Sequence, residues 1–287
     1  MELVLRKKCP ICDSLNHKSI YSLPYKDKRI QNFLELYYNN KLPLNLVLEH
    51  NYNLLECNKC KLIFQQFIPD KEFSIKLYEN YISSQESLKK KEEKLSNFTK
   101  RYQNEIKLIK DIFKNKKFSV LEFGAGWGFW SSEAKKLGLD VSCLELSQIR
   151  INYMKQKGLN VIQNLNKENK KFDFIYSDQT FEHVSNPKEI LNLMNLNLNV
   201  GGYILLNFPS SLGIKKKLKK NYIPKKDAVH PLEHLNLFNR TCINTLLKKT
   251  NLKLINFKSF NSFKIKSFLK DVKNLIYFES ILLKKIS

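Results

Sequence analysis

Four cysteines stand in two CxxC pairs, Cys9–Cys12 and Cys57–Cys60, with 44 residues between the pairs. Each pair brings two thiolates to one ion, and two pairs complete a closed, structural zinc site. The competing chemistry is a thiol redox pair. The separation is longer than the roughly 15–20 residues of a compact zinc knuckle pair. The stretch from Tyr21 to Tyr52 must therefore loop out. It holds Tyr25, Phe33, Tyr37, Tyr38 and His50, and is expected to cover a substrate cleft. Cys143 falls in an expected strand and Cys242 in an expected helix, so both read as core residues.

A second group is VLEFGAGWGFW at 120–130. A hydrophobic strand runs into Gly124, Ala125, Gly126, Trp127 and Gly128, and a helix follows. Glycine permits backbone shapes and close ligand approach that a Cβ blocks. The helix start presents free N–H groups. Dinucleotide sites use GxGxxG; here the spacing is GxGxG, and Phe129 stands near the third dinucleotide glycine. Seventeen residues after Gly128, Glu145 ends the next strand, followed by Leu146. A carboxylate there can accept hydrogen bonds from both hydroxyls of a ribose.

A third group is polar. Ser177, Asp178 and Gln179 end an apolar run, with Glu182 and His183 just beyond, in FDFIYSDQTFEHVSNP. Open α/β sheets bind ligands at the carboxyl ends of their strands. HPLEHLNLFN at 230–239 adds Glu233 and His234. Histidine titrates near neutrality, and a neighbouring carboxylate orients it, so His234 with Glu233, and His183, are candidate proton acceptors. The competing role for each is a buried residue that fixes a loop.

These groups need elements to hold them. Short apolar runs alternate with amphipathic stretches after residue 116, which predicts βαβ units. Strands are expected at 118–123, 140–145, 160–163, 172–177 and 202–208, and two more in the tail (LKLINFKSF and LIYFESILLKK). Helices are expected at 128–137, 147–157, 187–198 and 240–250. Residues 71–116 read as helix, with Leu77, Tyr81, Phe98, Tyr102, Ile106, Ile109 and Phe113 near a 3.6-residue period. Residues 1–70 read as irregular and turn-rich.

The strand, the E-x-G-x-G-x-G loop and the acidic end of the second strand resemble the class I S-adenosylmethionine-dependent methyltransferases. LNVGGYILLNFP at 198–209 is similar to the approach to that family's fifth strand. The resemblance spans about residues 117–260. It implies that Glu122, Gly124, Ala125, Gly126 and Gly128 line the methionine side of S-adenosylmethionine, that Glu145 with Leu146 holds the ribose side, and that Ser177, Asp178 and Gln179 lie above the sulfonium. In the ubiquinone-pathway O-methyltransferases a run like TFEHV supplies acidic metal ligands. Gln179 stands where one of those acids would be, so no such metal is expected. Glu233–His234 and the CxxC pairs resemble the zinc-containing sugar C-methyltransferases. There the motif is His-Glu-His followed by aromatics; here Leu232 replaces the first His, and Leu237–Phe238 stand near the aromatics. The full-length members also carry a further C-terminal domain. These departures leave C- and O-methylation both open.

The expected architecture is α/β: a Rossmann-like, seven-stranded, doubly wound methyltransferase domain (117–287), preceded by a zinc-ribbon-like module (1–70) and a helical linker (71–116). The expected function is methyl transfer to a small-molecule acceptor, a sugar or sugar nucleotide of surface glycans, by a cytoplasmic enzyme. Two alternatives stand beside it: a zinc-finger-bearing RNA methyltransferase, and a non-catalytic scaffold. The net charge of +23 favours nucleic acid. Yet 45 of the 50 basic residues are Lys and only five are Arg, the residue suited to base and phosphate forks, so nucleic acid is not favoured. IKKKLKKNYIPKK at 214–226 can attract a diphosphate, an acyl carrier or RNA, or serve as a solvated lid. No apolar run approaches a membrane span. No [DN]PP[FYW] follows the fourth strand, and no Cys follows the fourth or fifth strand at a catalytic position. Adenine or cytosine amino-methylation and cytosine-C5 chemistry are therefore disfavoured.

Overall fold

The computed structural model describes residues 1–167, 170–219, 221–255 and 278–287. In chain order the first part contains β1 (Leu3–Leu5), β2 (His17–Pro24), α1 (Lys28–Tyr37), β3 (Asn51–Cys57), β4 (Ile63–Gln65) and β5 (Phe67–Pro69). Three helices follow: α2 (Lys71–Lys76), α3 (Ser84–Glu93) and α4 (Leu95–Ile112). Then come β6 (Ser119–Phe123), α5 (Phe129–Lys136), β7 (Asp140–Leu144), α6 (Gln148–Gln156), β8 (Asn160–Ile162), β9 (Phe172–Asp178), α7 (Pro187–Leu196) and β10 (Leu198–Pro209). The last are α8 (Ile214–Leu218), β11 (Asn236–Leu237), α9 (Arg240–Leu247), β12 (Leu252–Ile255) and β13 (Phe278–Lys285).

Seven strands form the main sheet in the order β12-β13-β10-β9-β6-β7-β8. Strands β6 to β10 run parallel, and β13 is antiparallel to both β10 and β12. Alternate side chains feed two cores. Val120, Phe174, Tyr176, Leu205 and Leu282 pack under α4 and α5 with Ile106, Ile109 and Trp130. Leu121, Ile175, Ile204, Leu206 and Leu283 pack against α7 and α9 with Met194, Ile243 and Leu246. Covering both faces explains why these strands read as continuous apolar runs. Strand order reverses between β6 and β9, so a crevice opens at their carboxyl ends.

Strand β10 starts at Leu198, earlier than expected. Its register with β9 shifts between Leu198 and Tyr203, where Gly201 takes φ +82°. The glycine bulge hides the early start from a strand pattern. Of the expected tail strands, 256–260 and 275–277 lie outside the described residues, as does Lys220 of the lysine-rich stretch.

The expectation for residues 1–70 is corrected. They hold a sheet in the order β11-β4-β3-β2, a β1–β5 pair and the amphipathic α1. The outermost strand, β11, comes from residues 236–237 and pairs Asn236 with Phe64. Several of these strands have two or three residues, too few for a period to show. The continuous helix expected over 71–116 is also corrected. Ile82 is extended, and the Ser83 side chain caps a new helix by accepting from Glu86 N.

Candidate active site

The glycine loop leaves the end of β6. Gly124, Gly126 and Gly128 all adopt left-handed φ values of +74°, +58° and +67°. Gly124 N and Ala125 N donate to Leu144 O at 2.9 and 3.0 Å, which ties the loop to β7. The three glycines are not equivalent. A Cβ at Gly124 would sit 2.4 Å from Thr180, and one at Gly128 would sit 2.7 Å from Leu159. One at Gly126 would meet only Lys91 Nζ, at 3.9 Å. Gly124 and Gly128 therefore serve packing, and Gly126 leaves the loop open to the cleft.

Two acids flank the loop. Glu145 accepts from Gly126 N at 2.7 Å and, through its other oxygen, from Leu146 N and Ser147 N at 2.9 and 3.0 Å. Arg150 lies 3.9 Å away. Glu122 is buried and accepts from Ser131 N and Oγ in the first turn of α5. Burial pushes its carboxyl up to about 8 against those hydrogen bonds.

Above the loop lies a cleft of about 1440 Å³. Single-ligand pockets measure about 300–1,000 Å³, so two ligands fit side by side. Glu122, Gly124, Ala125, Gly126, Glu145, Leu146, Asp178, Gln179, His183, Glu233 and His234 all line it. Gly128 packs beneath α6 instead, and Ser177 is fully buried in the sheet; neither is among the lining residues. Asp178 pairs with Arg101 of α4. Lys91 of α3 and Phe98 of α4 also line the cleft, with Lys91 Nζ nearest to Gly126 of the glycine loop.

The far end of the cleft is polar and crowded. Glu182 and His183 sit on a 3-10 turn after β9, and His230, Glu233 and His234 on the chain that leads into β11. The Tyr78 hydroxyl lies 2.9 Å from His183 Nδ1, and Tyr38 donates to Glu233 Oε1 at 2.9 Å. His183 and His234 meet edge to face with centroids 4.8 Å apart. His230 lies 3.7 Å from Glu233. Burial lowers all three imidazoles, His234 to about 4, so they are uncharged at neutral pH. Burial raises the Glu182 carboxyl to about 8 and that of Glu233 to about 7.

Gln65 of β4 fixes this end. Its amide donates to His230 O and His234 O at 2.9 and 3.0 Å, and its oxygen accepts from Leu232 N at 3.2 Å. Arg6 adds hydrogen bonds to Leu235 O and the Asn236 side chain. The N-terminal sheet thus carries the histidine strap. Sequence reasoning did not single out His230, Tyr78 or Arg101. His230 is visible three residues before Glu233, the i, i+3 spacing of one helical turn; Tyr78 and Arg101 carry no local signal.

Cys9, Cys12, Cys57 and Cys60 converge, with their sulfurs within 4.8 Å of one another. Cys9–Cys60 and Cys12–Cys57 stand at 3.5 and 3.4 Å. A tetrahedron with Zn–S near 2.3 Å has sulfur edges of about 3.8 Å, so the set fits a zinc ion. Among the described residues no helix is long and apolar enough to cross a membrane.

The strand order, the left-handed glycine loop at the switch point and the acid closing the second strand define an S-adenosylmethionine-dependent methyltransferase of class I. A family model described as methyltransferase domain matches residues 91–256, more than half of the sequence, and the chain belongs to that family. Its fold is similar to the plantazolicin methyltransferase BpumL, solved with a pentazolic desmethylPZN analog and SAH. The TM-score is 0.53 and the identity 15%, covering 71% of this chain and 90% of that one. Plantazolicin methyltransferase BamL, solved with a triazolic analog and SAH, gives 0.55 at 15% identity, over 71% and 91%. No curated protein matches the sequence.

Proposed function

We propose that this enzyme methylates a sugar or sugar nucleotide for surface-glycan synthesis, binding S-adenosylmethionine over the glycine loop and the acceptor at the histidine end. The carrying observation is one cleft with two chemically different ends. Glu122, Gly124, Ala125, Gly126, Asp178 and Gln179, with Ser177 beneath, serve the methionine part, and Glu145 with Leu146 the ribose. Gly128 shapes the helix start behind them. His234, His183 and Glu233 handle the acceptor: an uncharged imidazole can take a proton from, or orient, the attacking atom as its bond to the methyl forms and the S–CH3 bond breaks. Lys225 and Lys226 line the cleft and suit a diphosphate, while Lys217 beside them pairs with Asp227. Tyr37 and Asn39, from the segment between the cysteine pairs, also line the cleft, which supports a covering role for that segment. Zinc on Cys9, Cys12, Cys57 and Cys60 holds the N-terminal sheet, and so the strap. We place the reaction in the cytoplasm.

Calorimetric titration with S-adenosylmethionine and S-adenosylhomocysteine, repeated on Glu145→Ala, tests the cofactor half. Losing the ribose hydrogen bonds removes about 1.5–3 kcal/mol, so Kd rises about 10- to 150-fold. Equal affinities would refute the ribose role. Transfer of labelled methyl to sugar nucleotides, run beside total RNA, tests the acceptor; label in RNA alone favours the nucleic-acid alternative that the net charge of +23 supports.

A further inference from the structure

We propose that Glu182, His183 and His234 form a binding site for a divalent transition-metal cation at the acceptor end of the cleft. One carboxylate oxygen and one ring nitrogen from each histidine lie within 4.8 Å of one another. An ion held at about 2.0–2.2 Å keeps its ligand atoms within about 4.4 Å of one another, so a side-chain shift of a few tenths of an ångström lets all three share it.

The first support is an unsatisfied acid. Glu182 is fully buried, and neither of its carboxylate oxygens has a hydrogen-bond partner. Buried polar groups are almost always paired. A proton would serve one oxygen only, whereas a cation satisfies the carboxylate as a whole. The second support is orientation. The Tyr78 hydroxyl engages His183 Nδ1, which leaves Nε2 facing Glu182 Oε1 at 3.8 Å. Holding one imidazole nitrogen so that the other faces the ion is the usual outer-shell arrangement of metal-ligating histidines. The third is His234 Nδ1, buried without a partner on a strap whose carbonyl is fixed by Gln65.

Gln179 does not complete the set. Its side chain turns to Asn207 O at 3.5 Å. The third ligand arrives instead from the strap, 51 residues after His183. Two imidazoles and one carboxylate suit zinc, manganese or iron(II) and leave positions open. Those positions face the cleft, where the ion would bind and acidify an acceptor oxygen. This role rests on the acceptor reading above; metal binding itself does not. With the ion bound, His183 and His234 are ligands, not bases.

The test is a Co2+ titration of chelator-treated protein, followed by visible absorption and calorimetry. Cobalt on the four cysteines gives intense thiolate charge-transfer bands. A second equivalent on nitrogen and oxygen ligands adds only weak d–d bands. We expect two equivalents in the wild type, and the second weakened at least about 100-fold in Glu182→Gln and in His234→Ala. Tyr78→Phe should weaken it about 10-fold. Glu182→Gln keeps the size and shape of the side chain, and the thiolate bands report whether the rest of the structure is intact. One equivalent with thiolate bands alone overturns the proposal, as does a second equivalent untouched by Glu182→Gln and His234→Ala. Cobalt bound here with no sugar nucleotide methylated upholds the metal and sinks the acceptor reading. Full methylation by protein lacking the second equivalent upholds the acceptor reading and overturns the ion's role in acidifying the acceptor.

Discussion

Gly126→Ala separates cofactor binding from folding. Gly126 has φ +58°, and a left-handed alanine costs about 1–2 kcal/mol. Nothing blocks the new methyl, since its nearest neighbour is the flexible tip of Lys91 at 3.9 Å. At about 2–4 °C per kcal/mol for a chain of this size, Tm should fall by roughly 2–8 °C. Gly138→Ala is the control for strain alone, with φ +81° and nothing within 4 Å of the added Cβ. The Gly126 methyl points into the cleft, where an extra methyl against a bound ligand costs about 1–3 kcal/mol. That raises Kd about 5- to 150-fold. Differential scanning calorimetry gives the first number and titration with S-adenosylhomocysteine the second. If Gly126→Ala loses the same Tm as Gly138→Ala yet binds as tightly as wild type, no ligand passes over this loop and the reading of the cleft fails. Gly124→Ala should behave differently, because its Cβ would overlap Thr180 at 2.4 Å and the fold would lose stability first.

Glu122→Gln should flatten the pH dependence of stability. The Glu122 carboxyl titrates near 4.5 when unfolded and near 8 when folded, so the folded state holds a proton that the unfolded state loses. Its contribution to stability is highest below about 4.5 and falls as pH rises to about 8, by up to about 1.4 kcal/mol per pH unit. Urea unfolding of both proteins between pH 5 and 8 measures this, and equal slopes would refute it. Cys57→Ser should remove the zinc: metal analysis should fall by one ion per chain, and Tm should drop by roughly 4 °C or more for a loss of at least about 2 kcal/mol. Unchanged zinc content would return the cysteines to redox chemistry.

The main sheet was legible in the sequence because its strands and helices alternate at their natural lengths. Val120, Leu121 and Phe123 announce β6, and glycines at 124, 126 and 128 announce the turn, since few other residues tolerate left-handed backbone. Glu145 was legible because the end of β7 is a fixed distance in sequence from the loop. The N-terminal sheet was not: its β4 and β11 have three and two residues, and the pairing of Asn236 with Phe64 joins segments 172 residues apart. The polar end of the cleft suffers the same problem. Glu233–His234 and Glu182–His183 each show as pairs, but nothing local says that they meet, that Tyr78 turns to His183, or that Tyr38 turns to Glu233.

The sequence by itself determined what depends on near neighbours: strand and helix periods, glycine conformations, and the reach of each CxxC. Only the tertiary structure decided which groups lose their water. Burial, set by the packing of α1, the π-turn at 77–81 and the strap onto the sheet, keeps the imidazoles uncharged and leaves the Glu182 carboxylate oxygens without a hydrogen-bond partner. Desolvation belongs to a three-dimensional environment and to no residue alone.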